Sequence, residues 1–149
     1  MNIELNGSEQ INTNPANLWE SVIDPVVLQR AIPGCISMTE TGEGQYQMNL
    51  ELKVSAVGGS FEGEISLSEM NPPNSCIITV SGSGTLGTGG GNATVAITQG
   101  DDGNALISYQ AQGEVSGLVA GVGQRILMGV AKHLARQFFT ALKKEFAAA

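Results

Sequence analysis

The 149-residue sequence predicts an α+β fold in which a curved antiparallel sheet wraps a long C-terminal helix. Three observations predict it. Apolar residues recur with period two between about residues 45 and 116. They recur at helical spacing from Leu118 to about Phe146. Two Asn/Asp-Pro pairs start short helices between a first strand and the sheet. The length suits one domain, able to bury roughly two-thirds of its unfolded surface without metals or disulfides. With 42% apolar and 14% charged residues the chain is too apolar for disorder, and no run nears the roughly eighteen apolar residues of a membrane helix.

The elements follow in order. Residues 2–12 alternate loosely and read as a strand. Asn14-Pro15 and Asp24-Pro25 each place a side-chain acceptor before a proline, starting helices at about 15–23 and 25–31, and Pro33-Gly34 stops the second. From residue 45, Tyr46, Met48, Leu50, Leu52 and Val54 alternate with polar neighbours, and Phe61, Ile65 and Leu67 alternate with Glu62, Glu64, Ser66 and Ser68. Further strands are predicted at about 75–86, 91–99 and 104–116. Gly58-Gly59, Asn71-Pro72-Pro73-Asn74, Gly87–Gly91 and Asp101-Asp102-Gly103-Asn104 provide the breaks. Such short connections make an antiparallel meander of six or seven strands with one wet face. From Leu118 to about Phe146 one helix of roughly 28 residues and about 42 Å is predicted, its wide apolar arc suited to a concave sheet. This order of elements is a helix-grip architecture, a single domain spanning residues 1–149.

Three stretches carry a resemblance to a known family: Leu28–Cys35 (LQRAIPGC), Ala105–Gly117 (ALISYQAQGEVSG) and Leu118–Phe139 (LVAGVGQRILMGVAKHLARQFF). The chain resembles the START and birch-pollen-allergen (SRPBCC) superfamily of helix-grip domains. Within it, the chain is similar to CoxG, the G-subunit family of carbon monoxide dehydrogenase. The resemblance implies an accessory protein rather than the redox subunit. It further implies association with molybdenum hydroxylases of the carbon monoxide dehydrogenase type, their recruitment to the membrane, and carriage of quinone-like or isoprenoid-like apolar ligands. The expected setting is cytoplasmic, since MNIELNGSEQ has neither the basic nor the apolar part of a signal peptide. Membrane recruitment adds a peripheral position at the inner membrane face.

The residues themselves offer three candidate sites. The first lies between sheet and long helix. Gly82, Gly84, Ala93, Ala111 and Gly113 fall on the inferred inward face among Tyr46, Met48, Leu50, Phe61, Ile65, Ile78, Val95, Ile107 and Tyr109, with Val130, Leu134 and Phe138 facing them from the helix. Small residues among large ones leave volume for an apolar ligand, with Tyr46 and Tyr109 as polar handles. The competing reading has these glycines serving bulges and close packing around a solid interior. The second site is the turn Ile32-Pro33-Gly34-Cys35, expected at the cavity mouth, or serving simply as a rigid helix stop. The third is a stripe of Arg125, Lys132, Arg136 and Lys143, within roughly a 40° arc opposite the apolar face of the last helix.

Charge is segregated. Residues 1–117 hold thirteen acidic side chains against Arg30 and Lys53, a net of −11, and residues 118–149 hold five basic ones against Glu145, a net of +4. The total of −7 argues against nucleic acid. The basic stripe instead suits an acidic protein or anionic lipid, or else is a solvated face. Other patterns carry less. Gly82–Gly87 matches G-x-G-x-x-G but lies within strands, where no helix follows to hold a phosphate. His133 is the only histidine, and Cys35 and Cys76 have no metal spacing, so neither metal nor tightly bound cofactor is expected. Two other readings remain open: a docking or maturation factor with a filled core, and a helix-grip cyclase or hydratase using the tyrosine hydroxyls.

Overall fold

The period-two segments pair into seven strands in a computed structural model that describes residues 1–54 and 57–146. The order is β1 (Asn2–Ile11), α1 (Pro15–Val22), α2 (Pro25–Ala31), β2 (Cys35–Gly42), β3 (Gln45–Val54), β4 (Val57–Asn71), β5 (Ser75–Gly84), β6 (Gly87–Gln99), β7 (Ala105–Ser116), a 3-10 turn (Leu118–Val122) and α3 (Gln124–Glu145). The strands form one antiparallel sheet, ordered β1-β7-β6-β5-β4-β3-β2. Hairpins join β2 through β7, and β1 returns to pair with β7.

Both short helices start as the sequence predicts. The Asn14 carboxamide oxygen accepts the Asn17 amide at 2.8 Å, and the Asp24 carboxylate accepts the Val26 amide at 2.9 Å. Pro15 and Pro25 follow where no N–H is needed. Gly34 closes α2 at φ +75°, and the Glu51 amide bonds its carbonyl at 2.9 Å, fixing α2 against the end of β3.

Three features differ from the sequence expectation. Strand β2 is absent from that expectation, because CISMTETG does not alternate. Its pairing with β3 shifts register between Cys35 and Ser37 and again between Glu40 and Gly42. Strand β6 begins at Gly87 rather than 91, since the glycines of GTGGG pair in register with β5 and β7 instead of turning. The predicted last helix is divided. Gly117 and Gly123 take φ +90° and +95°, outside the helical region, so Leu118–Val122 is an isolated 3-10 turn and α3 begins at Gln124.

The main core lies at one end of the sheet. Ile11, Leu18, Trp19, Val95, Ile97, Ile107, Phe139 and Leu142 pack there. The Tyr109 ring stacks on Phe139 at 5.3 Å, and Phe138 meets Phe139 edge-on at 5.2 Å. A second cluster of Tyr46, Met48 and Ile65 lies under the α2–β2 turn, and a third joins Val119, Leu127 and Val130.

Helix α3 lies along β1 and against α2 rather than over the centre of the sheet. Near its start, Gln124 Nε2 donates to the Asn2 carbonyl at 3.1 Å, and near its end Lys143 Nζ donates to the Glu9 carboxylate at 2.8 Å. Arg30 holds Glu145 with two bonds of 2.8 and 2.9 Å, tying α2 to the end of α3. At the opposite rim of the sheet, Gln29 Nε2 donates to the Ile36 carbonyl of β2 at 2.8 Å. Among the described residues no helix is long and apolar enough to cross a membrane.

Candidate functional site: an apolar groove between sheet and helix

The gap between α3 and the sheet depends on side-chain size. At the C-terminal end of the helix, Phe138, Phe139 and Leu142 fill the space against β6 and β7. Toward the N-terminal end, Ala131 and Val119 face a floor of glycine and alanine, and an open groove of about 420 Å³ remains. The floor follows from register. Gly63 is opposite Gly82, Gly82 opposite Gly89, Gly91 opposite Gly113, and Ala93 opposite Ala111. These inward positions span four adjacent strands, so bare peptide covers the sheet centre.

Met48, Leu50, Phe61, Ile78 and Val80 wall one side of the groove, and Ile3, Leu5 and Val115 the other. Glu62 and Gln112 border it through their backbones, because their side chains alternate to the wet face. The floor's N–H and C=O groups are engaged in the strand ladders, leaving a lining that is almost entirely carbon. Such a site recognises its ligand by shape and dispersion. Glycine is required locally at Gly91, where a Cβ would collide with the Gln112 carbonyl, whereas one at Gly63 would meet only the flexible Met48 Cε at 2.9 Å and the Ser81 carbonyl at 3.2 Å.

Of the residues expected to line the cavity, Met48, Leu50, Phe61 and Ile78 lie on the groove wall, as do Gly82, Ala93, Ala111 and Gly113 of the expected floor. The other cavity residues sit elsewhere. Tyr46 and Ile65 are buried in the cluster under α2, Val95 and Ile107 belong to the main core, and Tyr109 and Phe138 pack against that core. Val130 and Leu134 join the cluster that roofs the groove without reaching its wall. Neither tyrosine is a polar handle in the groove. The Tyr46 hydroxyl donates to the Ile23 carbonyl at 2.6 Å, and burial, with smaller contributions from Glu40 and Asp24, pushes its pKa up. Burial followed by Glu9 does the same to Tyr109. Sequence reading missed Ile3, Leu5, Gly63, Val80, Gly89, Gly91, Val115, Val119 and Ala131. The period-two pattern of β1, β5 and β7 and the glycine run of β6 were the available signals.

None of the predicted mouth residues lines the groove, and the turn packs behind its Met48 wall. Ile32 caps α2, and Ile32 and Cys35 pack on the Tyr46–Met48–Ile65 cluster, while Pro33 and Gly34 form the intervening turn. Both cysteines are free, and burial pushes both thiols up. Of the basic stripe, Arg125, Lys132, Arg136 and Lys143 are all exposed, as the helical spacing predicts. Lys143 is engaged with Glu9, and the other three make no ion pair among the described residues. Among those residues no group of His, Cys, Asp or Glu is arranged to hold a metal.

A seven-stranded sheet gripping a terminal helix over an apolar groove defines a helix-grip domain. The profile of CoxG, the G-subunit family of carbon monoxide dehydrogenase, matches residues 7–147, and the chain belongs to that family. A conserved protein from Geobacillus kaustophilus is 32% identical, with a TM-score of 0.92 over 98% of this chain and 95% of that one. The fold is shared by the ZhuI aromatase/cyclase from Streptomyces sp. R1128, at 13% identity and a TM-score of 0.70, covering 98% and 94% of the two chains. It is shared too by Ara h 8.0201, at 13% identity and a TM-score of 0.70 over 98% of each chain. Among curated proteins none matches in sequence.

Proposed function

We propose that the protein is a non-enzymatic accessory carrier that holds an apolar small molecule, quinone-like or isoprenoid-like, in the groove between sheet and α3. The supporting observation is the groove itself, about 420 Å³ walled by carbon over a glycine and alanine floor. Its volume lies in the range of small-molecule sites. Glu62, Ser81, Thr88 and Glu114 border the groove from outward-facing strand positions, and a wall whose inward side chains are carbon suits binding better than turnover, which distinguishes this reading from a cyclase. Membership of the CoxG family supports delivery of the cargo to an enzyme of the carbon monoxide dehydrogenase type, and the proposed place of delivery is the inner membrane face. Mass spectrometry of an organic extract of the purified protein, with quinone titrations, tests the reading. A co-purifying apolar ligand or saturable quinone binding is expected. Neither appearing would end the proposal.

A second role is favoured by the stripe. Arg125, Lys132 and Arg136 line the outer face of α3 without ion-pair partners among the described residues, in a chain with twice as many acids as bases. This face docks the carrier on an acidic protein or anionic lipid surface. Charge reversal at the three positions should abolish salt-sensitive binding to the isolated hydroxylase or to anionic vesicles and leave ligand retention unchanged.

A further inference from the structure

We infer that the 3-10 turn Leu118–Val122 is a door in the roof of the open groove, swinging about Gly117 and Gly123 to widen it as the ligand enters and leaves; the inference rests on the carrier reading above. The turn is part of the roof. Val119 lines the groove and packs with Leu127 and Val130 above the glycine floor. The rest of that roof is α3, clamped at Gln124–Asn2, Lys143–Glu9 and Arg30–Glu145. The turn has no such clamps. Among the described residues its backbone is tied to the sheet's β5–β6 turn by one hydrogen bond, from the Val119 amide to the Leu86 carbonyl at 2.7 Å.

Val119 is the turn's one buried side chain, and Leu118 beside it is 74% exposed. No side chain caps the turn or the start of α3. Both flanking glycines occupy backbone conformations that other residues rarely adopt, and nothing lies within 4 Å of the Cβ positions at Gly121 and Gly123. Gly117 packs against Gly87, so the segment is hinged beside the β5–β6 turn and open at Gly121 and Gly123, and with glycine at both ends it is the part of the roof that moves at least cost.

The test locks the door. The Leu86 carbonyl accepts the Val119 amide and Leu86 packs against the cluster that holds Val119, so Leu86→Cys and Val119→Cys are introduced in a Cys35→Ala, Cys76→Ala background, with formation of the bridge checked by mass spectrometry. Exchange of N-phenyl-1-naphthylamine, an uncharged fluorescent hydrophobe, is followed by stopped flow in the oxidised and reduced forms. The oxidised protein should take up and release the probe at least about tenfold more slowly than its reduced form, with dithiothreitol restoring the rate. Equal rates in both forms would overturn the door and leave the carrier reading intact. A probe that binds neither this variant nor the unmodified protein would overturn both. Hydrogen exchange of the unmodified protein gives an independent readout that needs no ligand and no variant. The Val119 amide should exchange well before those of Val95 and Ile107 in the sheet, and equal protection would refute the proposal.

Discussion

Filling the groove should separate ligand affinity from stability. Ala93 and Ala111 are cross-strand partners at the centre of the floor, and both face the groove. Replacing both with leucine adds three carbons at each position to space that the protein leaves empty. A groove of about 420 Å³ holds a ligand of roughly 20 non-hydrogen atoms. At about 0.3 kcal/mol per atom such a ligand binds with roughly 6 kcal/mol, a Kd of tens of micromolar. The six added carbons displace a comparable number of ligand atoms, so binding should weaken by about 2 kcal/mol, or roughly twentyfold. Stability should move the other way. Methylene groups entering a void gain up to about 0.8 kcal/mol each, whereas overpacking a filled core costs about 1–3 kcal/mol. Titration of N-phenyl-1-naphthylamine gives the first quantity and thermal denaturation the second. Unchanged affinity together with a Tm lowered by several degrees would show that the space is not there to fill, and would refute the reasoning.

Three further outcomes are expected. Gly129 is an exposed position inside α3 with nothing near its Cβ, so Gly129→Ala should stabilise by about 0.5–1 kcal/mol and raise Tm by about 1–4 °C in a thermal melt. Tyr46→Phe removes the bond to the Ile23 carbonyl and should cost about 1 kcal/mol in urea unfolding, with probe affinity unchanged because Tyr46 is off the groove wall. The hydrogen bond and charge of Arg30 hold the Glu145 carboxyl below its ordinary pKa, against a smaller opposing effect of burial. That contribution is therefore present above the usual carboxylate range and lost as pH falls through it. The Tm difference between the unmodified protein and Glu145→Gln should shrink as pH is lowered from about 7 to about 3, and a difference independent of pH would contradict the assignment.

Where local chemistry decides structure, the sequence was legible. The Asn14-Pro15 and Asp24-Pro25 starts, and the alternation from Tyr46 to Leu52, specify their elements through capping and burial that involve only neighbours. Strand β2 was hidden because two register shifts scramble its alternation and leave Ile36 57% exposed. The break at Gly123 was hidden because the apolar spacing continues through it, while the backbone departs where only glycine is comfortable. The candidate site was half legible. Small residues at 82, 93, 111 and 113 marked the floor, but which end of the sheet the helix approaches depends on long-range pairing. The tyrosines looked like handles in sequence and became structural, one bonded to α1 and the other stacked under Phe139, because the bulky half of α3 settles over that end. The void is where alanine on the helix meets glycine on the strands, a coincidence visible only once β1 is known to pair with β7.

The side-chain amides at the two rims of the sheet have a consequence for life in a crowded solution. Wide glycine-bearing β-surfaces with free main-chain donors and acceptors are templates for strand addition and, in time, for fibrils. Here Gln124 occupies an outward carbonyl of β1 beside the helix, and Gln29 occupies one on β2, whose bulges already spoil a continuous ladder. A chain whose sheet centre is bare peptide thus has a carbonyl at each border already taken, which leaves less of either edge to template a second copy.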